Sequence, residues 1–345
     1  MRETFASRWK RRAVTISVML GATLMGVLTA PVTVPSAAVA DLVRCRWRLP
    51  TVRVLLFLIQ YGLNDSAEIV LAPAYWVLAG FGTRLDGRPS IDRHQRLQAW
   101  SLALLARRAD RLLGLRIEID DDTRAALSPS PSIVLCRHVS IVDASIPALI
   151  YQRLGYRTRG VIMAELLADP GFDLLYGRTG SVFIPRDSGP EAQSLIAELT
   201  RPLGSDTVTV LFPEGQLFGP ERRVRSLARL AGREPTRAAM LAGLRHVLPP
   251  RPGGFLALLD ALPSSDVVVI GHSGLEAFPT FKRLAVAVPL ASPVGVTAWR
   301  TSAANIPEGR EERTAWLDSQ WQRLDDWCES KVVNVSPPLD PRPDR

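Results

Sequence analysis

The chain has 345 residues, of which 42 are lysine or arginine and 34 are aspartate or glutamate, for a formal net charge of +8. This length accommodates one large domain, or one domain with an accessory segment. With 47% apolar and 22% charged residues, the composition excludes a disordered chain and a polytopic transporter. Because the three cysteines, Cys45, Cys136 and Cys328, lie far apart, a disulfide scaffold and a cysteine-based zinc site are also excluded.

Arginine carries nearly all of the positive charge, because all but three of the 42 basic residues are arginines. Guanidinium groups suit phosphate oxygens and anionic lipid surfaces, although genomic base composition would produce the same bias. No nucleic-acid partner is expected, because the chain has neither a Cys/His finger nor a basic strand with interleaved aromatic residues.

The first 88 residues are predicted to form membrane-anchoring segments. Residues 13–40 carry no charge and follow five positive charges and one negative charge within residues 2–12. The most apolar part, 13–30, would be roughly 27 Å long as a helix, close to the ~30 Å of a hydrocarbon core. We therefore expect this part of the chain to associate with a membrane.

Two interpretations of this segment stay open. A cleaved signal peptide fits the small residues at 38–40, whereas a retained anchor fits the further apolar runs at 54–63 and 69–82. The number of membrane crossings is also open, because the positive-inside rule places four further arginines in the cytoplasm as well, namely Arg44, Arg46, Arg48 and Arg53.

Residues 89–330 are predicted to form one globular domain, and the Pro- and Asp-rich tail 331–345 is predicted to be disordered. Candidate strands lie at 115–119, 132–136, 158–163, 181–184, 207–212, 266–270, 284–288 and 294–299. Candidate helices lie at 91–114, 141–154, 164–176, 189–200, 236–248 and 308–328. Strands separated by helices of this length predict an α/β fold with a mixed, mostly parallel sheet flanked by helices.

The first candidate site is His138 with Asp143, directly after the apolar strand 132–136. A histidine at a strand end acts as a general base when a carboxylate holds its other ring nitrogen. Residues five apart diverge by about 140° on a continuous helix, so the pair meets only if His138 lies in the loop and the helix starts near Ser140. The alternative is that Ser140 and Asp143 form a helix cap and His138 is an ordinary loop residue.

Two further motifs follow strands. Gly180-Ser-Val-Phe183-Ile184-Pro-Arg186 places an arginine at a strand end, where it either holds a phosphate through two hydrogen bonds or is an ordinary surface arginine. Phe212-Pro213-Glu214-Gly215 ends the strand 207–212 and predicts a tight turn at the carboxyl edge of the sheet, where ligand sites of α/β proteins usually form.

Taken together, the His-x4-Asp, G-x-x-F-I-x-R and F-P-E-G motifs resemble the acyltransferase family that makes phosphatidic acid from 1-acyl-glycerol-3-phosphate and reacylates other lysophospholipids. The resemblance covers about 101–296 and is strongest to the lysocardiolipin acyltransferase-like branch, because a long stretch after F-P-E-G leads into 246–255. The chain departs from the family in three places, with Arg137 in place of Asn, Gln216-Leu217 in place of Thr or Ser and Arg, and Gly271 in place of Pro.

The resemblance implies the roles of the site residues. His138 would deprotonate the acceptor hydroxyl, and Asp143 would fix the imidazole tautomer. The acceptor oxygen would then attack the thioester of acyl-CoA or acyl carrier protein directly, with no metal or other cofactor. The substrate-binding residues would be Gly180, Phe183, Ile184, Arg186, Glu214 and Gly215.

The resemblance also implies the partners and the compartment. The partners would be membrane lipid, the lysophospholipid acceptor and the acyl-CoA donor, with no nucleic acid. Because acyl-CoA is cytosolic, the domain would face the cytoplasm, which disfavours cleavage after Ala40.

Two other functions compete with this one. A serine hydrolase is disfavoured, because Gly271-His-Ser273-Gly274 is followed by Leu275, whereas the nucleophile elbow needs glycine there. A catalytically degenerate, lipid-binding or scaffold protein of the same fold remains the alternative. The run 222–237, with six arginines and one acid, either attracts phosphates and headgroups or forms a solvated helix face.

Overall fold

The computed structural model describes residues 4–127, 132–185, 195–196, 199, 206–278 and 280–333. In this part of the chain, seven strands form one sheet with helices packed on both faces. The strands are β1 (Ile117–Ile119), β2 (Ser132–Cys136), β3 (Arg157–Met163), β4 (Val182–Ile184), β5 (Thr207–Leu211), β6 (Asp266–Ser273) and β7 (Val294–Thr301). The α-helices are α1 (Phe5–Val43), α2 (Pro50–Leu78), α3 (Arg88–Leu113), α4 (Asp121–Ala126), α5 (Ile146–Arg153), α6 (Pro220–Ala231), α7 (Pro235–Leu241), α8 (Pro252–Ala261), α9 (Phe281–Ala287) and α10 (Arg310–Val333).

The strand order is β1-β7-β6-β2-β5-β3-β4. Strands β6, β2, β5, β3 and β4 run parallel, β7 is antiparallel to β6, and β1 pairs in parallel with β7. The predicted α/β fold with a mixed, mostly parallel sheet is confirmed.

The central strand β2 is buried on both faces. Ile133 and Leu135 belong to a core shared with α8 and α10, whereas Val134 and Cys136 belong to a core shared with α5. This explains the uninterrupted apolar run, because a parallel strand covered on both faces needs no polar side. Since β6, β2 and β5 are parallel neighbours, the segments that follow them emerge at the same edge of the sheet.

One predicted strand is wrong, because residues 284–288 belong largely to the helix α9. The Thr280 hydroxyl accepts a hydrogen bond from the backbone N–H of Arg283 at 3.4 Å and caps this helix. Leu284 is buried in a cluster with Ala109 and Leu113 of α3. Packing against α3 therefore decides between helix and strand for a run that is too short to show a clear period.

Several helix predictions need correction. The predicted helix 164–176 is divided into a 3₁₀ turn, Ala164–Ala168, and a π turn, Phe172–Tyr176, because Pro170 interrupts the run. The predicted helix 236–248 corresponds to α7, which already ends at Leu241. Helices α6 and α8 were not among the predicted helices. Most of the predicted helix 189–200 lies outside the described residues, as does the predicted tail beyond 333.

The two N-terminal helices are each long and apolar enough to cross a membrane, by length and composition. Helix α1 has 39 residues, about 58 Å at ~1.5 Å per residue, and exposes apolar side chains along its length. The apolar runs 54–63 and 69–82, predicted as separate segments, belong mainly to the single helix α2. By length and composition alone, these helices suggest membrane association of the protein.

Specific contacts attach α1 to the rest of the molecule. The Asp41 carboxylate accepts hydrogen bonds from the backbone N–H of Thr51 at 2.9 Å and from its hydroxyl at 2.7 Å, which caps the start of α2. Near the other end of α1, Arg11 and Arg12 each form an ion pair with Asp173 at 2.8 Å. The first helix is thus fixed to α2 and to the globular part at two separated points.

Candidate active site

His138 and Asp143 lie together at the carboxyl end of β2. His138 Nδ1 is 2.7 Å from Asp143 Oδ1, and the chain between them forms a loop that leads into a 3₁₀ turn at Asp143–Ser145. As the spacing argument requires, His138 precedes the helical segment, although α5 itself begins at Ile146 rather than near Ser140.

Asp143 is fully buried and held by four donors. Its Oδ2 accepts hydrogen bonds from the backbone N–H groups of Val139 at 2.6 Å and Ser140 at 2.8 Å, and His272 Nε2 lies 3.3 Å away. Burial by itself would raise the pKa of Asp143, but the hydrogen bonds from His138 and His272 hold it well below its usual range. The carboxylate is therefore ionised. It makes the predicted contact with His138, and it also accepts backbone hydrogen bonds of the kind that cap a helix.

This arrangement defines the chemistry available to His138. Because the ionised Asp143 can only accept, Nδ1 of the neutral imidazole donates, and Nε2 carries the free lone pair. The His138 side chain is 20% exposed, and its ring packs against that of Phe212 with the centroids 4.6 Å apart. The histidine is thus a base that solvent or a ligand reaches.

Glu214 holds the backbone of the histidine loop. One carboxylate oxygen accepts a hydrogen bond from the backbone N–H of His138 at 3.0 Å, and the other from Leu248 at 2.9 Å. Burial raises the pKa of Glu214 to about 7, against the opposing effect of these two hydrogen bonds. The backbone N–H of Phe218 also donates to the His138 carbonyl at 2.6 Å. Both backbone polar groups of His138 are therefore hydrogen-bonded to the segment 214–218.

Arg137, the residue that departs from the family before the histidine, is fully buried. Its Nη1 donates to the carbonyl of His272 at 2.6 Å and to Glu276 Oε1 at 2.5 Å. The other oxygen of Glu276 accepts from the backbone N–H of Gly274 at 2.7 Å. The arginine therefore binds the His138 loop to the segment after β6.

Sequence reasoning missed His272 and Glu276 as members of this cluster. His272 carried a weak signal, since it is one of four histidines and stands at the end of a predicted strand. Nothing in the local pattern marks Glu276, because its role depends on an arginine 139 positions earlier in the chain.

A cavity of about 600 Å³ opens beside the F-P-E-G turn. Apolar side chains from β3, β4 and β5 form one wall, and arginines lie at its rim. Of the predicted substrate-binding residues, Ile184 and Gly215 line it, together with Phe212, which contacts His138. Phe212 therefore contacts the imidazole of His138 and also lines this cavity.

The other predicted substrate residues have different surroundings. A Cβ on Gly180 would lie 2.6 Å from Nε of Arg159, so this glycine makes room for that arginine, and Phe183 lies in β4 beside Gly177. Both carboxylate oxygens of Glu214 bind backbone N–H groups. Arg186 lies outside the described residues, although Pro185 lines the cavity.

The acyltransferase family model matches residues 116–272, and no curated protein matches the sequence. Among solved structures, the chain is similar to the 1-acyl-sn-glycerophosphate (LPA) acyltransferase PlsC from Thermotoga maritima, with 14% identity over 81% of this chain and 100% of that chain and a TM-score of 0.46. It is also similar to the signal recognition particle 54 kDa protein of Aeropyrum pernix K1, with 15% identity over 87% of this chain and 71% of that chain and a TM-score of 0.21. Neither similarity is high enough to indicate a substrate. The part of the chain that matches the acyltransferase family model contains the His138–Asp143 pair and the F-P-E-G turn.

Proposed function

We propose that the protein transfers a fatty acyl group from the thioester of acyl-CoA or acyl carrier protein to the free hydroxyl of a lysophospholipid. The observation that carries this proposal is the 2.7 Å contact between His138 Nδ1 and Asp143 Oδ1, within the part of the chain that matches the acyltransferase family model. The preferred acceptor is 1-acyl-glycerol-3-phosphate or a related lysolipid, because the three sequence motifs resemble those of acyltransferases that act on such lysolipids. The lysocardiolipin-like branch stays a prediction.

Catalysis would proceed through His138 as a general base. Nε2 takes the proton from the acceptor hydroxyl, and the ionised Asp143 stabilises the resulting imidazolium. The acceptor oxygen attacks the thioester carbonyl, the C–S bond breaks, and the thiolate takes the proton from Nε2. Because a thiol has a pKa of ~8.5, the thiolate leaves without a covalent acyl-enzyme, and a positioned base contributes about 10²–10⁴-fold to the rate.

The surroundings of the pair support this mechanism. The cavity beside Phe212 combines an apolar wall with an arginine rim, a combination that suits a substrate with a hydrocarbon chain and a phosphate. The mechanism needs no metal and no cofactor besides the acyl donor. We further propose that the domain faces the cytoplasm, where acyl-CoA is found, with α1 and α2 attaching it to the membrane.

The test is an acyl-transfer assay of the purified full-length protein with radiolabelled acyl-CoA and a panel of lysophospholipids. His138→Ala should abolish turnover while thermal unfolding stays close to that of the wild type. His246→Gln is the matched control, because its side chain is similarly exposed, at 19%, and pairs with Glu329 of α10. Equal turnover in wild type and His138→Ala would remove the mechanism, and a wild type inactive on the whole panel would favour the catalytically degenerate alternative.

A further inference from the structure

Arg251 is placed directly over the F-P-E-G turn. Its backbone N–H donates to the carbonyl of Pro213 at 2.8 Å, which fixes the start of α8 against the turn. Gly215 has a φ of +64°, and a Cβ at this position would lie 3.2 Å from Nη1 of Arg251. The glycine therefore leaves the space in which the guanidinium group lies, at the rim of the cavity.

A second arginine reaches the same cavity from α6. Arg229 lines it together with Ser226, whose hydroxyl accepts a hydrogen bond from Nε2 of Gln216 at 3.1 Å. Gln216 and Leu217 occupy the positions where the family commonly has Thr or Ser and Arg. In this chain, Gln216 instead forms a hydrogen bond with Ser226 of α6, the helix that carries Arg229.

The two guanidinium groups have no acidic partner in the part of the chain that the structure describes. The acid that lines the cavity, Glu234, pairs with Arg237 at 3.3 Å, and Arg237 also pairs with Asp318 at 2.7 Å. Partial burial and the neighbouring Arg229 both lower the pKa of Arg251. Two like charges held together beside an apolar wall favour an anion between them.

We propose that Arg251 and Arg229 form a phosphate-binding site at the rim of this cavity, taking a phosphate group of one of the two substrates. This inference rests on the proposed function. Arginine forks bind phosphate oxygens through paired, charge-assisted hydrogen bonds, and Phe212 joins the cavity to the imidazole of His138. The phosphate is supplied either by the glycerol phosphate of the acceptor or by the CoA part of the donor.

The experiment compares Arg251→Gln, Arg229→Gln and the double variant with the wild type, all as full-length protein. Arg225→Gln is the matched control, because it removes the same charge from the same helix at an exposed position that does not line the cavity. Arg251→Lys keeps the charge without the fork and serves as a second variant should Arg251→Gln unfold. Initial rates are measured with either substrate varied, using acyl-CoA and an acyl-N-acetylcysteamine donor that lacks phosphate.

Loss of a charge-assisted hydrogen bond should raise the KM of one substrate by about tenfold or more in each cavity variant, with Arg225→Gln near the wild type. If the site takes the acceptor phosphate, the KM of the acceptor rises with both donors. If it takes donor phosphate, the effect appears with acyl-CoA and disappears with the truncated donor. Unchanged KM values for both substrates would overturn the inference.

Binding without turnover separates this inference from the proposed function. Calorimetric titration with free CoA and with glycerol 3-phosphate should give a signal for one of them in the wild type, at least about tenfold weaker in Arg251→Gln. If this weakened binding is observed in a protein that transfers no acyl group, the phosphate site is supported and the proposed function is refuted. Equal affinity in wild type and Arg251→Gln, or no binding of either probe, would remove the site.

Discussion

The backbone N–H of His138 donates a 3.0 Å hydrogen bond to the buried carboxylate of Glu214, a residue that follows a different strand. This contact joins the loop after β2 to the turn after β5. It makes Glu214 a positioning residue for the imidazole, because its second oxygen is also occupied, by the backbone N–H of Leu248.

Glu214→Gln should lower kcat by about tenfold or more and leave KM within about twofold of the wild-type value. The amide can accept from only one of the two backbone N–H groups, and leaving the other unsatisfied costs about 1–3 kcal/mol. Steady-state kinetics with the acceptor varied would check this. An increase in KM alone would instead indicate that Glu214 contacts the substrate.

Glu214 should also make stability depend on pH. Its pKa is raised from an ordinary value of 4.5 to about 7 because the carboxyl group is buried, so folding favours the protonated form. Its contribution to the free energy of unfolding is fully present below about pH 4.5 and is lost as the pH rises through about 7, a change of roughly 3 kcal/mol. Denaturant unfolding between pH 4 and pH 8 should show that the free energy of unfolding changes less with pH in Glu214→Gln than in the wild type. The same pH dependence in both proteins would contradict this prediction.

Asp143→Asn should reduce kcat by about 10²–10⁴-fold, the usual contribution of a general base. With an amide N–H facing Nδ1, the imidazole turns to the tautomer that carries its proton on Nε2, and Nε2 then has no lone pair for the acceptor hydroxyl. Activity of this variant should not recover at higher pH, because the amide does not titrate. A kcat within a few-fold of the wild type would show that Asp143 only caps the backbone.

The ion pair between the buried Arg137 and the partly exposed Glu276 should behave as a unit. Removing one partner of a buried ion pair costs about 3–5 kcal/mol, and we expect the lower end because the Glu276 side chain is 33% exposed. The single variants Arg137→Asn and Glu276→Gln should both be destabilised, and the double variant by less than their sum. Chemical unfolding of all four proteins measures the coupling, and additive effects would mean that the two side chains act separately.

The close approach of α1 and α2 at Gly62 should be sensitive to one methyl group. A Cβ on Gly62 would clash with the Thr23 hydroxyl, so Gly62→Ala should lower stability in detergent by about 1–3 kcal/mol. Thr23→Ala removes that hydroxyl and should recover much of the loss when combined with Gly62→Ala. Thermal unfolding in one detergent would check both variants, and a double variant no more stable than Gly62→Ala would contradict the packing argument.

The amino-acid sequence by itself determined the elements whose pattern is local. The apolar run of β2 and the five-residue spacing of His138 and Asp143 both lie within one short segment. The strand therefore follows from the run of apolar residues, and the contact of His138 with Asp143 follows from the few backbone conformations that bring residues five apart together. The wrongly predicted strand at 284–288 shows the limit of this reasoning, because burial of Leu284 against α3 decided its conformation.

The tertiary structure alone decided which distant residues surround the pair. The order β6-β2-β5 brings the ends of three strands that are far apart in the chain to one edge of the sheet, and places Glu214, Glu276 and His272 around the His138 loop. Hydrophobic periodicity carries no information on which strands become neighbours, because that choice depends on the packing of the whole sheet.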